Sequence, residues 1–153
     1  MPAIPSPREL PDVSVRRAML ADAAAFASLA TQMGYPSSLT QVEKRLTMVI
    51  DNPKHLILAA ISGNQVVGWA HAYFCCLVET DAFAELGGLV VDESHRGRGV
   101  GARLLENVED WARQNGCGAV HVRSNVLRGE AHAFYAARGY ALIKTQYAFR
   151  KGL

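Results

Sequence analysis

Cysteine is scarce in this sequence: three among 153 residues, two of them adjacent at Cys75 and Cys76. That spacing builds neither a disulfide framework nor a CxxC-type zinc site. The three are expected as buried apolar side chains in a reducing compartment. Long hydrophobic runs are missing as well. A membrane span needs ~18 apolar residues, and the nearest run, Val66 to Val78, is broken by Gly68 and His71. Charge of one sign is also lacking. Sixteen Lys and Arg against fourteen Asp and Glu leave a net +2, too little for a dedicated nucleic-acid binder. Repeats, low-complexity tracts and Gly/Ser linkers are absent, so one domain is expected at this length. What is present is a half-hydrophobic chain, too apolar for disorder. The expectation is a compact cytoplasmic domain with no nucleic-acid and no membrane partner. Pro2, Pro5, Pro7 and Pro11 crowd the start, which reads as a flexible arm over residues 1–12 rather than a targeting signal. The folded domain is expected over 13–153.

Hydrophobic spacing outlines the elements. Val13 to Arg17 reads as a strand. Asp22 is placed to cap a helix with apolar Phe26, Leu29, Ala30 and Met33, stopped by Gly34 and Pro36. Thr40-Gln41-Val42-Glu43 fits a capping box opening a second helix with Val42, Leu46, Val49 and Ile50 on one face. Strands follow at Leu56 to Ile61, Val66 to Cys75 and Ala82 to Val91. Leu104, Leu105, Val108, Trp111 and Ala112 form one helical stripe closed by Gly116. Ala119 to Arg123 reads as a strand and Glu130 to Arg138 as a short helix stopped by Gly139. Two last strands are expected near Ala141 to Lys144 and Gln146 to Arg150. The order β-α-α-β-β-β-α-β-α-β-β describes an α/β protein with a mixed sheet and helices on its faces.

The segment Leu89-Val90-Val91-Asp92-Glu93-Ser94-His95-Arg96-Gly97-Arg98-Gly99-Val100-Gly101 carries the most chemistry. A strand runs into three alternate glycines that open a long amphipathic helix. Glycines let several N–H groups converge, and the helix start adds unpaired donors and partial positive charge. Arg96, Arg98 and Arg103 add full charges. The combination suits a phosphate or pyrophosphate; the alternative is a tight basic turn in water. No GxxxxGK[ST] is present, which excludes an NTPase P-loop. Gly97-x-Gly99-x-x-Ala102 fits the loose dinucleotide pattern. It lies too late in the chain for that fold, however, and the following strand ends at Arg123-Ser124 with no acid for a ribose.

Arg96-x-x-Gly99-x-Gly101 resembles the R/Q-x-x-G-x-G/A signature of the GNAT family of N-acetyltransferases. Ala84-Glu85-Leu86 with Leu89-x-Val91 is similar to that family's fourth strand. Asn125 followed by Ala131-His132-x-Phe134-Tyr135-x-x-x-Gly139-Tyr140 is similar to its N…FYxxxGF segment. The resemblance covers Val13 to the C-terminus and implies the single-domain GNAT fold with acetyl-CoA as cosubstrate and no metal. It implies that the backbone of Arg96, Gly97, Arg98, Gly99, Val100 and Gly101 holds the pyrophosphate. The main chain of Leu89, Val90 and Val91 would pair with the pantetheine arm, and Asn125 would hydrogen-bond that arm unless it only caps a helix. Gly87 and Gly88 suit a bulge where the fourth and fifth strands part.

Acetylating an amine sets two chemical demands. An alkylammonium with pKa ~10 must lose a proton, at a cost of about 4–5 kcal/mol at neutral pH. The departing thiolate needs a proton or a hydrogen bond. By the resemblance Tyr135 stands where the family commonly has a general acid, and Glu85 where some members have a catalytic glutamate; Tyr135 would also touch the cofactor. A core tyrosine and a solvent-facing glutamate are the alternatives. His132 lies one helical turn before Tyr135. His71 and His121 alternate with apolar residues and read as strand-face residues, with no metal spacing. Tyr35, in the loop Gly34 to Leu39, and Lys144 and Tyr147 would wall the acceptor side. The implied activity is direct acetyl transfer to a primary amine of a small molecule. A protein N-terminus or lysine as acceptor stays open, as does a non-catalytic acyl-CoA sensor. A homodimer is compatible with the family.

Overall fold

The computed structural model describes residues 12–153, so the expected arm, Asp12 apart, lies outside the described residues. These form two compact units, one running to Arg123 and one from Ser124 to Leu153.

The first unit is built on a five-stranded sheet in sequential order. Its strands are β1 (Val13–Arg17), β2 (His55–Ser62), β3 (Gln65–Leu77), β4 (Thr80–Val91) and β5 (Val120–Val122). The first four pair antiparallel, while β5 pairs parallel with β4 through Ala84, Glu85 and Leu86. Between β1 and β2 lie α1 (Ala23–Gln32) and α2 (Leu39–Val49); α3 (Val100–Gln114) makes the crossover from β4 to β5.

Period-2 alternation along the strands divides the sheet into two apolar faces. On one, Phe26 and Ala27 of α1 and Val42 and Leu46 of α2 pack against Ile57 and Ala59, with Trp69 at the margin. On the other, α3 buries Val100, Leu104, Leu105, Val108, Trp111 and Ala112, each large side chain worth about 1.5–3 kcal/mol of burial. Gly68 lets α3 sit close, since a Cβ there would lie 2.9 Å from the Val90 carbonyl and 3.3 Å from Leu104.

Three sequence expectations are corrected here. Asp22 precedes α1 but makes no side-chain cap to it. Its carboxylate instead accepts two bonds from Arg16, at 2.8 and 2.9 Å, and the Met19 N–H at 2.8 Å. The capping box of α2 is Ser38 with Gln41, not Thr40 with Glu43. Ser38 Oγ accepts the Gln41 N–H at 3.2 Å and Gln41 Oε1 accepts the Ser38 N–H at 2.9 Å. The cysteines are not core residues: Cys76 is exposed, Cys75 and Cys117 half-buried. The β3–β4 hairpin outruns β2, whose first residue His55 already sits opposite Tyr73, so Cys75 and Cys76 project past the core.

The second unit contains α4 (Gly129–Ala136), ended at Gly139 with φ +87°. Residues 140–153 have no regular secondary structure, so the two expected tail strands are not formed. Leu142, Ile143, Tyr147 and Phe149 are of strand-forming types but are exposed and lack a strand to pair with among the described residues.

Candidate active site

β4 positions most of the candidate site. Glu85 lies mid-strand, its side chain on the face shared with His71 and Tyr73 of β3 and His121 of β5, as the register Glu85↔Tyr73 and Glu85↔His121 requires. The strand is longer than expected and includes Asp81, but Asp81 is exposed while Glu85 is only 4% exposed. Arg123, at the end of β5, is 84% exposed and reaches in to bond Glu85 Oε1 at 3.0 Å. Burial raises the Glu85 carboxyl above its ordinary range, and the positive charge of Arg123 opposes that shift. The result is a carboxylate more basic than a solvated one.

Past Glu85 the strand bulges. Leu86 faces Ala72 and Gly88 faces His71, so Gly87 is the additional residue. Two aromatic rings cover this bulge. A Cβ on Gly87 would lie 3.5 Å from the Tyr73 ring, and one on Gly88 would lie 2.6 Å from Trp69 Cζ3. Beyond Leu86, β4 keeps β3 as its partner through Val91, while its pairing with β5 has ended. Among the described residues, the β5-facing edge of Leu89, Val90 and Val91 therefore carries no strand.

The strand then enters the Gly-rich loop. Gly97 (φ +73°) and Gly99 (φ +83°) adopt left-handed backbone conformations that side-chain-bearing residues rarely take. Among the described residues, nothing lies within 4 Å of where their Cβ atoms would be. Gly99 is the N-cap of α3, and Val100 and Gly101 are its first residues. Arg98 is exposed; Arg96 folds back so that its Nε donates to the Val91 carbonyl at 3.0 Å. Arg103, expected to add charge to the loop, donates to the Val13 carbonyl and ties α3 to β1 instead. An anchor the sequence reading missed holds the loop entrance. Asp92 accepts from Ser94 Oγ and from Gln32 of α1 at 2.9 Å and pairs with His95 at 3.2 Å, and these bonds, that from Ser94 foremost, push its carboxyl well below the usual range.

Asn125 and Tyr135 lie in the second unit. Asn125 Oδ1 accepts the Leu127 N–H at 2.9 Å, closing a turn before α4, and its carbonyl accepts from His132 Nε2 at 2.8 Å. His132 is thereby given a structural partner. Tyr135 packs edge-on against Phe134 and Tyr140, with ring centroids 5.1 and 5.6 Å away. Burial pushes its phenol up, so it holds its proton at neutral pH. Tyr35, Lys144 and Tyr147 are all exposed.

The model of the Acetyltransferase (GNAT) family matches residues 22–140. The chain belongs to the GNAT family of acetyltransferases. It is accordingly an acetyl-CoA-dependent N-acetyltransferase with that family's single-domain α/β fold. This acetyltransferase is 30% identical over 145 residues to an aminoglycoside N(6')-acetyltransferase type 1 of Stenotrophomonas maltophilia, covering 92% of this chain and 94% of the relative. It is 34% identical over 107 residues to the aminoalkylphosphonate N-acetyltransferase of Salmonella typhimurium, covering 69% and 67%. The crystal structure of an aminoglycoside 6'-N-acetyltransferase from Acinetobacter baumannii superposes with a TM-score of 0.81 at 19% identity, over 92% of this chain and 99% of that one. An aminoglycoside N-acetyltransferase in complex with CoA superposes with the same score at 17% identity, over 91% and 94%. No helix among the described residues is long and apolar enough to cross a membrane. None of their His, Cys, Asp and Glu groups could hold a metal ion.

Proposed function

We propose that this acetyltransferase acetylates a primary amine of a small molecule by direct attack, with Glu85 as base and Tyr135 as acid. The observation that carries the reading is that β4 bears a buried carboxylate, a glycine bulge, an unpaired edge and a phosphate-type loop in succession. The chemical order of these parts matches that of acetyl-CoA. Backbone N–H groups of Arg96 to Gly101 would hold the pyrophosphate at the start of α3. The unpaired edge of Leu89, Val90 and Val91 would take the pantetheine arm as a strand would. Asn125 would add its Nδ2 amide, since its Oδ1 already holds Leu127. Acetyl-CoA, when bound, supplies the acetyl thioester.

Glu85 accepts a proton from the acceptor ammonium at a carboxylate oxygen. Its raised affinity for protons narrows the gap to the amine. Arg123 favours the charged form of that carboxylate between turnovers. Tyr135 holds a proton on Oη for the departing sulfur, and partial burial raises that phenol above its ordinary value. The two relatives whose names specify an aminoglycoside and an aminoalkylphosphonate support a small-molecule acceptor over a protein amine.

The test is thiol release from acetyl-CoA with aminoglycosides, aminoalkylphosphonates and a lysine peptide as acceptors. Release is expected with at least one small amine. Tyr135→Phe should lower kcat about 100-fold or more with coenzyme A affinity nearly unchanged. Glu85→Gln should remove the acid limb of kcat/KM, which in the wild type lies above the ordinary carboxylate range. Coenzyme A binding without thiol release for any amine would make the protein a sensor, and an unchanged acid limb would remove Glu85 from the role of base.

A further inference from the structure

On the reading above, the acceptor ammonium comes to Glu85, and what surrounds that carboxylate selects the rest of the acceptor. β2, β3 and β5 carry no Asp or Glu. The other acid of β4, Asp81, is exposed and lies four residues back, about 13 Å along a strand. The residues beside Glu85 are of a different kind. His121 is its partner on β5 and stacks on Phe83 at a centroid distance of 4.1 Å. Half-buried Tyr73 is opposite it on β3. His55 Nδ1 and His71 Nε2, further along the same face, are bonded to each other at 2.9 Å. The one full positive charge is Arg123, whose Nε meets Glu85 Oε1 at 3.0 Å.

That contact uses only part of Arg123. A guanidinium is a planar fork of N–H donors, and Nε supplies just one of them. The side chain is 84% exposed, so the two terminal nitrogens are left at the surface. Their edge has the geometry that takes a carboxylate or phosphonate by two parallel bonds.

We propose that the acceptor is a zwitterion, a primary amine whose ammonium meets Glu85 Oε2 and whose acid group takes the terminal nitrogens of Arg123. The guanidinium then lies between two negative groups and binds both. The Tyr73 ring offers an apolar side to the short alkyl stem that joins amine and acid. A polycation is disfavoured, because its further ammonium groups would meet Arg123 where they need a carboxylate. A monoamine without an acid group leaves the arginine edge unused. In the transfer the nitrogen–acetyl bond forms as the carbon–sulfur bond breaks. Of the two protons the nitrogen loses, Glu85 takes one and the departing sulfur ends with the other. The product keeps only its acid charge, so its hold on Glu85 is gone when the amide has formed. Arg123 is a specificity residue here, and the inference rests on Glu85 being the base.

Matched acceptors test it. Thiol release from acetyl-CoA is followed with β-alanine, 2-aminoethylphosphonate, β-alaninamide and the polycation kanamycin. The two zwitterions should exceed β-alaninamide and kanamycin in kcat/KM by about tenfold or more, chiefly through KM. The faster of the two names the acid group. Arg123→Gln should bring the ratio of β-alanine to β-alaninamide close to one, and Arg123→Lys should keep part of it. The ratio is the readout because Arg123 also favours the charged form of Glu85, an effect that moves both acceptors together. Arg123 follows β5 and is exposed, so its substitution leaves the core intact. A ratio that survives Arg123→Gln, or faster wild-type turnover of β-alaninamide or kanamycin, overturns the zwitterion and leaves the base assignment standing. If Glu85→Gln keeps full turnover with β-alanine, the base assignment falls and the inference with it. No release from any of the four amines overturns both.

Discussion

At Gly88 a methyl group would lie 2.6 and 2.8 Å from the far edge of the Trp69 ring, whereas at Gly87 the nearest atoms are 3.5 Å away. The indole cannot easily withdraw. It stacks on buried Phe26 at a centroid distance of 5.7 Å, and its Nε1 is shut off from solvent. Gly88→Ala should therefore cost about 1–3 kcal/mol, the usual range for forcing extra volume into a packed site. Gly87→Ala should cost much less, because its added methyl meets only ordinary contacts. Urea titrations of the two variants would check the contrast, with equal midpoints counting against it. The glycine pair reads from sequence as a bulge, and the bulge is there. That Gly88 is small because an aromatic ring crosses it is not legible, since the ring comes from a residue nineteen positions earlier.

Local spacing specifies elements well where one helix or strand supplies its own evidence. The α3 stripe, its glycine stop and the left-handed glycines before it are all set by near neighbours in sequence. It fails where two nearby solutions compete. Thr40-x-x-Glu43 and Ser38-x-x-Gln41 both have capping-box form, and the chain uses the earlier one because Ser38 has the extended backbone an N-cap requires. Ser38→Ala should then destabilise α2 by about 1 kcal/mol, while Thr40→Ala, already inside the helix, should cost about half that or less. Thermal melts of the two variants decide it, and a larger loss for Thr40→Ala would return the cap to the later position. Cross-strand partners are less legible still. The His55–His71 bond joins residues sixteen apart and depends on β2–β3 register, and the Glu85–Arg123 pair depends on β5 lying parallel beside β4. The tail strands fail for a related reason: apolar and aromatic residues along 141–150 make a strand available, but a ladder needs a second one.

Across the described residues, three buried or half-buried groups with perturbed proton affinity, His71, Asp22 and Glu85, bear on how stability should change with acid. His71 has its pKa lowered from 6.5 to about 4, so the folded protein binds that proton less readily than the unfolded chain. Its contribution is full above pH 6.5 and is lost as pH falls toward 4, by about 2 kcal/mol once partial exposure is allowed for. Asp22 is also lowered, chiefly by the Arg16 bonds. Its stabilisation is lost only below the ordinary aspartate range, outside that window. Glu85 has the opposite sign. Its carboxyl is raised by burial, so protonation relieves a desolvation cost and part of the His71 loss is offset as the pH falls. Stability should therefore decline between pH 6.5 and 4 in the wild type, decline less in His71→Gln and more steeply in Glu85→Gln. Both tryptophans, Trp69 and Trp111, lie in the unit that ends at Arg123, so denaturation followed by tryptophan fluorescence reads the unit that holds all three groups. Because the two substitutions should tilt the same curve in opposite directions, a general loss of packing cannot imitate the pair of results. Three parallel curves would mean that neither His71 nor Glu85 changes its proton affinity on folding.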